Sequence, residues 1–176
     1  MSGIIGVSAG MNSGLVAVPA GGGPGSIVQT VVVKKDDEAS VGYSSTSFGK
    51  VLNGSGVAAW RGSITPTAGN DVMVQASFSA RMQITSNAGG GFGFMRDTGS
   101  PSNSGGTAVY HAPEKHMFYT TSSFNPFYAH WAIRFVDQAM SAGTYNYYIG
   151  CSLTTASGQN FIIRVPFEMQ ILEIKR

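Results

Sequence analysis

Val72-Met73-Val74-Gln75-Ala76-Ser77-Phe78-Ser79-Ala80-Arg81-Met82-Gln83-Ile84 is the stretch that decides the fold. Val72, Val74, Ala76, Phe78, Ala80, Met82 and Ile84 are apolar. Gln75, Ser77, Ser79, Arg81 and Gln83 between them are polar, and Met73 is the exception. A period of two means a strand with one buried face and one wet face. Just upstream, Thr65-Pro66-Thr67-Ala68-Gly69-Asn70-Asp71 supplies turn residues and reads as a hairpin loop. Its other arm is Ala58 to Thr65, with Ala58, Trp60, Gly62 and Ile64 on one face.

Working outward, the same alternation recurs. Trp131, Ile133 and Phe135 alternate with His130, Ala132 and Arg134, and Tyr145, Tyr147, Ile149, Cys151 and Leu153 alternate with Asn146, Tyr148, Gly150 and Ser152. These two segments read as half-buried strands joined as a second hairpin through Ser141-Ala142-Gly143. The last strand puts Phe161, Ile163, Val165, Phe167, Met169 and Ile171 on one face. Its apolar phase switches at Leu172, which suggests a bulge or a terminal contact. Pro166 donates no ladder bond and implies an open side there.

Ile27 to Lys35 is apolar on both faces, as in a strand covered on both sides or lying in a subunit contact. Val41 to Val51 reads as an exposed edge strand. Asn87-Ala88-Gly89-Gly90-Gly91 reads as the end of one strand, with Phe92 beginning the next, and His111 to Phe127 as a long loop with one short strand near Met117 to Thr121. No segment has uninterrupted helical spacing. About eight strands with short turns make an all-β sandwich or jelly roll, with a core around Trp60, Phe78, Met82, Trp131 and Tyr147.

Residues 1–25 differ in kind, with eight glycines, no charged side chain and two apolar clusters, Ile4-Ile5-Gly6-Val7 and Leu15-Val16-Ala17-Val18. Glycine content alone would suit a free tail. The absence of charge favours an arm that docks through Ile4, Ile5, Val7, Leu15, Val16 and Val18, joined by a Gly-rich linker to a domain spanning 26–176.

Composition excludes several classes. Charged residues are 11% of the 176-residue chain, against roughly 25% in ordinary soluble proteins. The net charge is +2 and no basic run exceeds Lys34-Lys35, so neither nucleic acid nor an anionic membrane is an expected partner. The apolar runs fall far short of the roughly 20 residues of a membrane span, and no positively charged secretory start is present, so the chain reads as soluble and made in the cytoplasm. Cys151, alone, forms no internal disulfide and alternates as a buried, quiet thiol.

Candidate chemistry is sparse. His111 and His116, with Glu114, match no common zinc spacing, and His130 sits on an outer strand face; all three read as isolated surface histidines. Asp36, Asp37 and Glu38 are too closely adjacent to aim enough oxygens at one calcium ion. Asp97 and Asp137 read as turn-stabilising carboxylates. Gly89 to Phe94 lacks the lysine and helix of a phosphate loop. Phe118, Tyr119, Phe124, Phe127 and Tyr128 suit either a sugar-stacking surface or, the preferred reading, a subunit boundary. No catalytic, cofactor or metal residues are assigned.

Ser63-Ile64-Thr65-Pro66, Asn70 to Ser77, Gly93-Phe94-Met95-Arg96-Asp97, Phe135-Val136-Asp137 with Gly143-Thr144-Tyr145, and the closing Met169 to Ile174 occur in an order that resembles a family of small tailed-phage virion proteins. Ser2-Gly3-Ile4-Ile5-Gly6-Val7 is similar to the opening of such proteins. The resemblance implies a jelly-roll β-sandwich of the C1q/tumour-necrosis-factor type that assembles as a homotrimer, with no enzyme activity and no cofactor. The expected setting is the virion, with the major capsid protein or a tail or neck protein as partner. No heptads or repeats build a shaft, which favours a capsid decoration or short appendage over a long fibre. The alternative is a receptor-binding head whose aromatic residues touch host surface glycan.

Overall fold

The computed structural model describes residues 22–36, 43–84, 88–111, 118–120, 124–154 and 160–176. The ten strands are β1 (Ile27–Lys35), β2 (Gly49–Lys50), β3 (Arg61–Ile64), β4 (Asp71–Ile84), β5 (Ala88–Thr98), β6 (Thr107–His111), β7 (Phe118–Thr120), β8 (Phe124–Asp137), β9 (Tyr145–Leu153) and β10 (Asn160–Ile174). No helix occurs among the described residues. One antiparallel sheet has the order β1-β10-β4-β8. The other is built on β9 and β5, with β2 and β3 in line along the free side of β9, and β6 and β7 along the free side of β5.

From β3 onward the chain passes to the opposite sheet at every connection except β5 to β6 and β6 to β7, as in a jelly-roll sandwich. Both expected hairpins are therefore wrong. β3 pairs with β9, not β4, and β8 pairs with β4, not β9. The connections at 65–70 and 138–144 cross the sandwich from one sheet to the other. A tight hairpin takes two to five loop residues, and longer loops leave the chain room to change sheets.

β4 behaves as its alternation demands. Val72, Val74, Ala76, Phe78, Ala80 and Met82 are buried, while the odd-numbered positions between them are half-buried on the outer face. β10 lies beside it, and Val165 and Pro166 are a two-residue irregularity in that ladder. Inserting two residues preserves the period, so Phe161, Ile163, Phe167, Met169 and Ile171 all reach the core. Beside Leu172, where the apolar phase suggests a bulge or terminal contact, the irregularity is in the β1 ladder, with Ile27 and Gln29 facing Ile174 and Glu173. The β1 ladder stops at Phe167, and among the described residues no strand pairs with β10 at Pro166 on that side.

Phe92 sits at the centre of the core. Its ring centroid is 5.5 Å from that of Phe78, 4.3 Å from Phe161 and 5.2 Å from Trp131. Trp60, Phe78, Met82 and Tyr147 are buried with it, and Trp131 packs partly buried against them. Gly62 lets the sheets close: a Cβ there would lie 2.7 Å from Ile171 Cδ1.

Two strands depart from the half-buried pattern. β9 is buried along its whole length, because Phe48, Leu52, Ala58 and Met95 pack with Tyr148 on its second face. Gly89, Gly90 and Gly91 do not end a strand but lie inside β5, with Gly90 and Gly91 paired with β9 on one side and Gly89 and Gly90 with β7 on the other. Ladders on both sides satisfy the backbone groups that a glycine run leaves bare. In the segment read as an edge strand, the described part shows only β2 and a bridge between Tyr43 and Phe161.

Candidate interaction surface

Strand register defines what stands on the outer face of the four-stranded sheet. Row by row across β8, β4, β10 and β1 these are Val136, Met73, Leu172 and Thr30; then Arg134, Gln75, Gln170 and Val32; then Ala132, Ser77, Glu168 and Lys34. His130 and Ser79 follow, then Tyr128, Arg81 and Ile162. No described segment is layered over this face as Phe48, Leu52 and Ala58 are over β9.

Its polar groups bond to one another across strands. Gln75 Nε2 donates to Gln170 Oε1 at 2.7 Å, and Gln170 Nε2 donates to Glu168 at 2.6 Å. Lys34 lies 3.3 Å from the same carboxylate. The Gln170 bond, helped by Lys34, holds the Glu168 pKa below the usual carboxylate range. The His130 ring lies between two hydroxyls, with Nε2 2.7 Å from Ser77 Oγ and Nδ1 3.4 Å from Ser79 Oγ. Ala132, with only a methyl group, leaves an open depression of about 410 Å³ among Gln75, Ser77, Arg134, Glu168 and Gln170.

Sequence spacing hid the charge of this face. Arg81 stands alone on β4, but Arg164, Arg134 and Lys34 join it from three other strands. Among the described residues of the four strands, apart from the Asp71–Arg176 pair at one end, those four cations face Glu168, a positive surplus.

The chemistry available here is hydrogen bonding and charge. Ser77 and His130 pair a hydroxyl with a base, but the other ring nitrogen meets a serine rather than a carboxylate. β4, laddered on both sides, has its backbone N–H groups engaged and offers no donors to an oxyanion. Among the described residues no three His, Cys, Asp or Glu side chains gather as a metal site.

The proposed anchoring residues Ile4, Ile5, Val7, Leu15, Val16 and Val18 lie outside the described residues, as do Glu114, His116, Asp37 and Glu38. The aromatic candidates do not form one loop. Phe118 and Tyr119 are in β7, opposite Gly90 and Gly89. Phe124, Phe127 and Tyr128 are in β8, opposite Ile84, Met82 and Arg81 in the other sheet. Both groups lie at the same end of the sandwich, and Tyr128 is 61% exposed. The chain enters β1 at the opposite end, where Gly25 N donates to Lys175 O at 2.7 Å.

Asp97 and Asp137 are not turn caps. Asp97 receives the buried ammonium of Lys50, which also donates to Ser102 O at 3.0 Å and lies 4.0 Å from the centre of the Tyr148 ring. Asp137 receives Arg96 and the Tyr147 hydroxyl. Glu173, inward-facing and buried, accepts from Thr67 N at 2.8 Å and Asn70 Nδ2 at 2.7 Å. Only single charges in apolar company, Lys50 between Phe48 and Val51 and Glu173 between Leu172 and Ile174, hinted at such partners. Cys151 is buried, which pushes its thiol pKa up and keeps it protonated.

No protein-family model and no curated protein matches this chain.

Proposed function

We propose that this protein is a non-enzymatic structural component of a tailed-phage virion: a homotrimeric jelly roll attached by residues 1–25 to the major capsid protein or to a tail or neck protein. The motif order quoted above supports the virion setting. The outer face of the four-stranded sheet carries the assembly reading, because it is broad, hydrogen-bonding and open. Its positive surplus bears on symmetry. A twofold contact of this face with itself would oppose like charges, whereas a cyclic contact joins it to a different surface of the next subunit. A ring of three satisfies that condition.

The geometry of the ends agrees with attachment by the arm. The chain leaves at the Lys175 end, and β7 and the start of β8 lie at the other. Deleting residues 2–22 should leave a species of three chains in sedimentation that no longer decorates particles. Full decoration by the truncated protein would sink the attachment role, and a monomer from the full chain would sink the trimer.

Tyr128, 61% exposed and opposite Arg81, favours a second reading as a glycan-binding head. Binding on a glycan array that Tyr128→Ala removes would support it, and silence of the unaltered protein would end it.

A further inference from the structure

Charge in this protein is largely settled within the chain. Asp71, Asp97, Asp137 and Glu168 pair with Arg176, Lys50, Arg96 and Lys34, and Glu173 is buried against Thr67 and Asn70. Among the described residues Arg61, Arg81, Arg134 and Arg164 pair with no carboxylate. Arg81, Arg134 and Arg164 all stand on the outer face of the four-stranded sheet. Arg81 and Arg164 lie in the half of that face beyond the end of the β1 ladder, where β8, β4 and β10 run side by side.

Register sets their spacing. Ser79 on β4 faces His130 on one side and Arg164 on the other, and the next outward position along β4 is Arg81, which faces Tyr128 and Ile162. Diagonal neighbours on a sheet face lie roughly 7–8 Å apart, within reach of long side chains. Arg81 and Arg164 therefore both reach the space over Ser79, where His130 Nδ1 is already 3.4 Å from Ser79 Oγ. The carboxylate of Glu168 is engaged by Gln170 and Lys34. Asp36, exposed just past β1, pairs with neither arginine.

Two guanidinium groups so placed repel each other until an anion stands between them, and their planar forks match a carboxylate through paired hydrogen bonds. The surroundings suit a sugar. Tyr128 exposes its ring beside Arg81, and Ser79 and His130 add uncharged hydrogen-bonding groups. A protein partner would call for an apolar centre to the contact, and in these two rows Ile162, half-buried, is the one aliphatic side chain.

We propose that this half of the face binds an acidic glycan, a saccharide chain bearing uronic or sialic acid. Arg81 and Arg164 take its carboxylate above Ser79, and the adjoining sugar ring lies on Tyr128. The proposal rests on the glycan-binding reading above and specifies its ligand class, and it leaves the half of the face with Ser77, Glu168 and Lys34 to assembly.

The full chain on an array that sets sialylated and uronate-bearing glycans beside neutral counterparts tests this. The expected hits are acidic, and methyl-esterifying their carboxylates should abolish binding. In titrations with the strongest acidic hit, Arg81→Gln and Arg164→Gln should each lower affinity about tenfold or more. Arg61→Gln, in the other sheet, should leave it unchanged, and circular dichroism should show all three variants folded. Binding to neutral glycans alone would overturn the acid site while keeping the glycan reading, and silence across the array would overturn both. Acidic hits indifferent to Arg81→Gln and Arg164→Gln, or weakened equally by Arg61→Gln, would also overturn the site. A poly-glutamate peptide bound as tightly as the strongest glycan would replace the proposal with an acidic protein partner.

Discussion

The hydroxyl of Tyr147 on β9 donates to the carboxylate of Asp137 on β8 at 3.0 Å, and Arg96 on β5 donates to the same oxygen. One carboxylate thereby joins the two sheets at the end of the sandwich where the chain enters. Tyr147 is fully buried, and burial together with the neighbouring Asp137 raises its pKa well above the ordinary 10.0. Below that value the phenol is neutral in both folded and unfolded chains and adds no pH dependence. Above it the unfolded chain loses the proton first, so the folded state binds more protons and stability falls as pH rises. Burial shifts Tyr43 and Tyr148 in the same direction. Urea titrations should show stability falling above about pH 10, by up to roughly 1.4 kcal/mol per pH unit for each such group. Tyr147→Phe should flatten that fall while costing about 1.5–3 kcal/mol at neutral pH. An unaltered alkaline slope would refute the assignment.

Lys50 and Asp97 form a buried pair, their side chains 2% and 10% exposed. Lys50→Met strands the carboxylate and is expected to cost about 3–5 kcal/mol. Adding Asp97→Leu should recover much of that, measured by chemical denaturation. Recovery stays incomplete because the Ser102 carbonyl loses the Lys50 donor.

Phe92 on β5 contacts Phe78, Phe161 and Trp131, all three from the opposite sheet. Phe92→Ala opens a cavity at the centre of the core and is expected to cost about 3–5 kcal/mol. A loss below about 1 kcal/mol in thermal unfolding would mean that the ring is not central to packing.

Ser77→Glu places a second carboxylate directly opposite Glu168 on the outer face, which like charges disfavour. The substituted chain should fold, with circular dichroism unchanged, and assemble more weakly in sedimentation. Unchanged assembly would return this face to solvent.

Much of the sandwich is legible in the residues alone. A period of two assigns faces because successive side chains of a strand point to opposite sides. On that basis β4, β8 and β10 are readable, and Phe78, Met82, Trp60 and Tyr147 are recognisable as core. Alternation names a face and not a neighbour, however. β3 and β4 each follow the rule, yet they lie in different sheets. The double burial of β9 depends on a pad that includes Phe48, Leu52 and Ala58, distant in sequence and without period.

The candidate surface divides in the same way. Its hydroxyls and amides on β4 could be listed in advance, because the strand shows them in every second position. Its basic surplus, the His130 contacts and the Lys50–Asp97 and Arg96–Asp137 pairs could not. They join residues 41 to 53 positions apart; ladder register brings the His130 pairs together, and packing across β9 or between the sheets brings the two ion pairs together. What the sequence determined by itself was therefore the class of structure and the inward face of each regular strand, through local stereochemistry. Which strands are neighbours, which charges meet and which edge stays open were decided by tertiary packing, because those energies depend on contacts that no local pattern encodes.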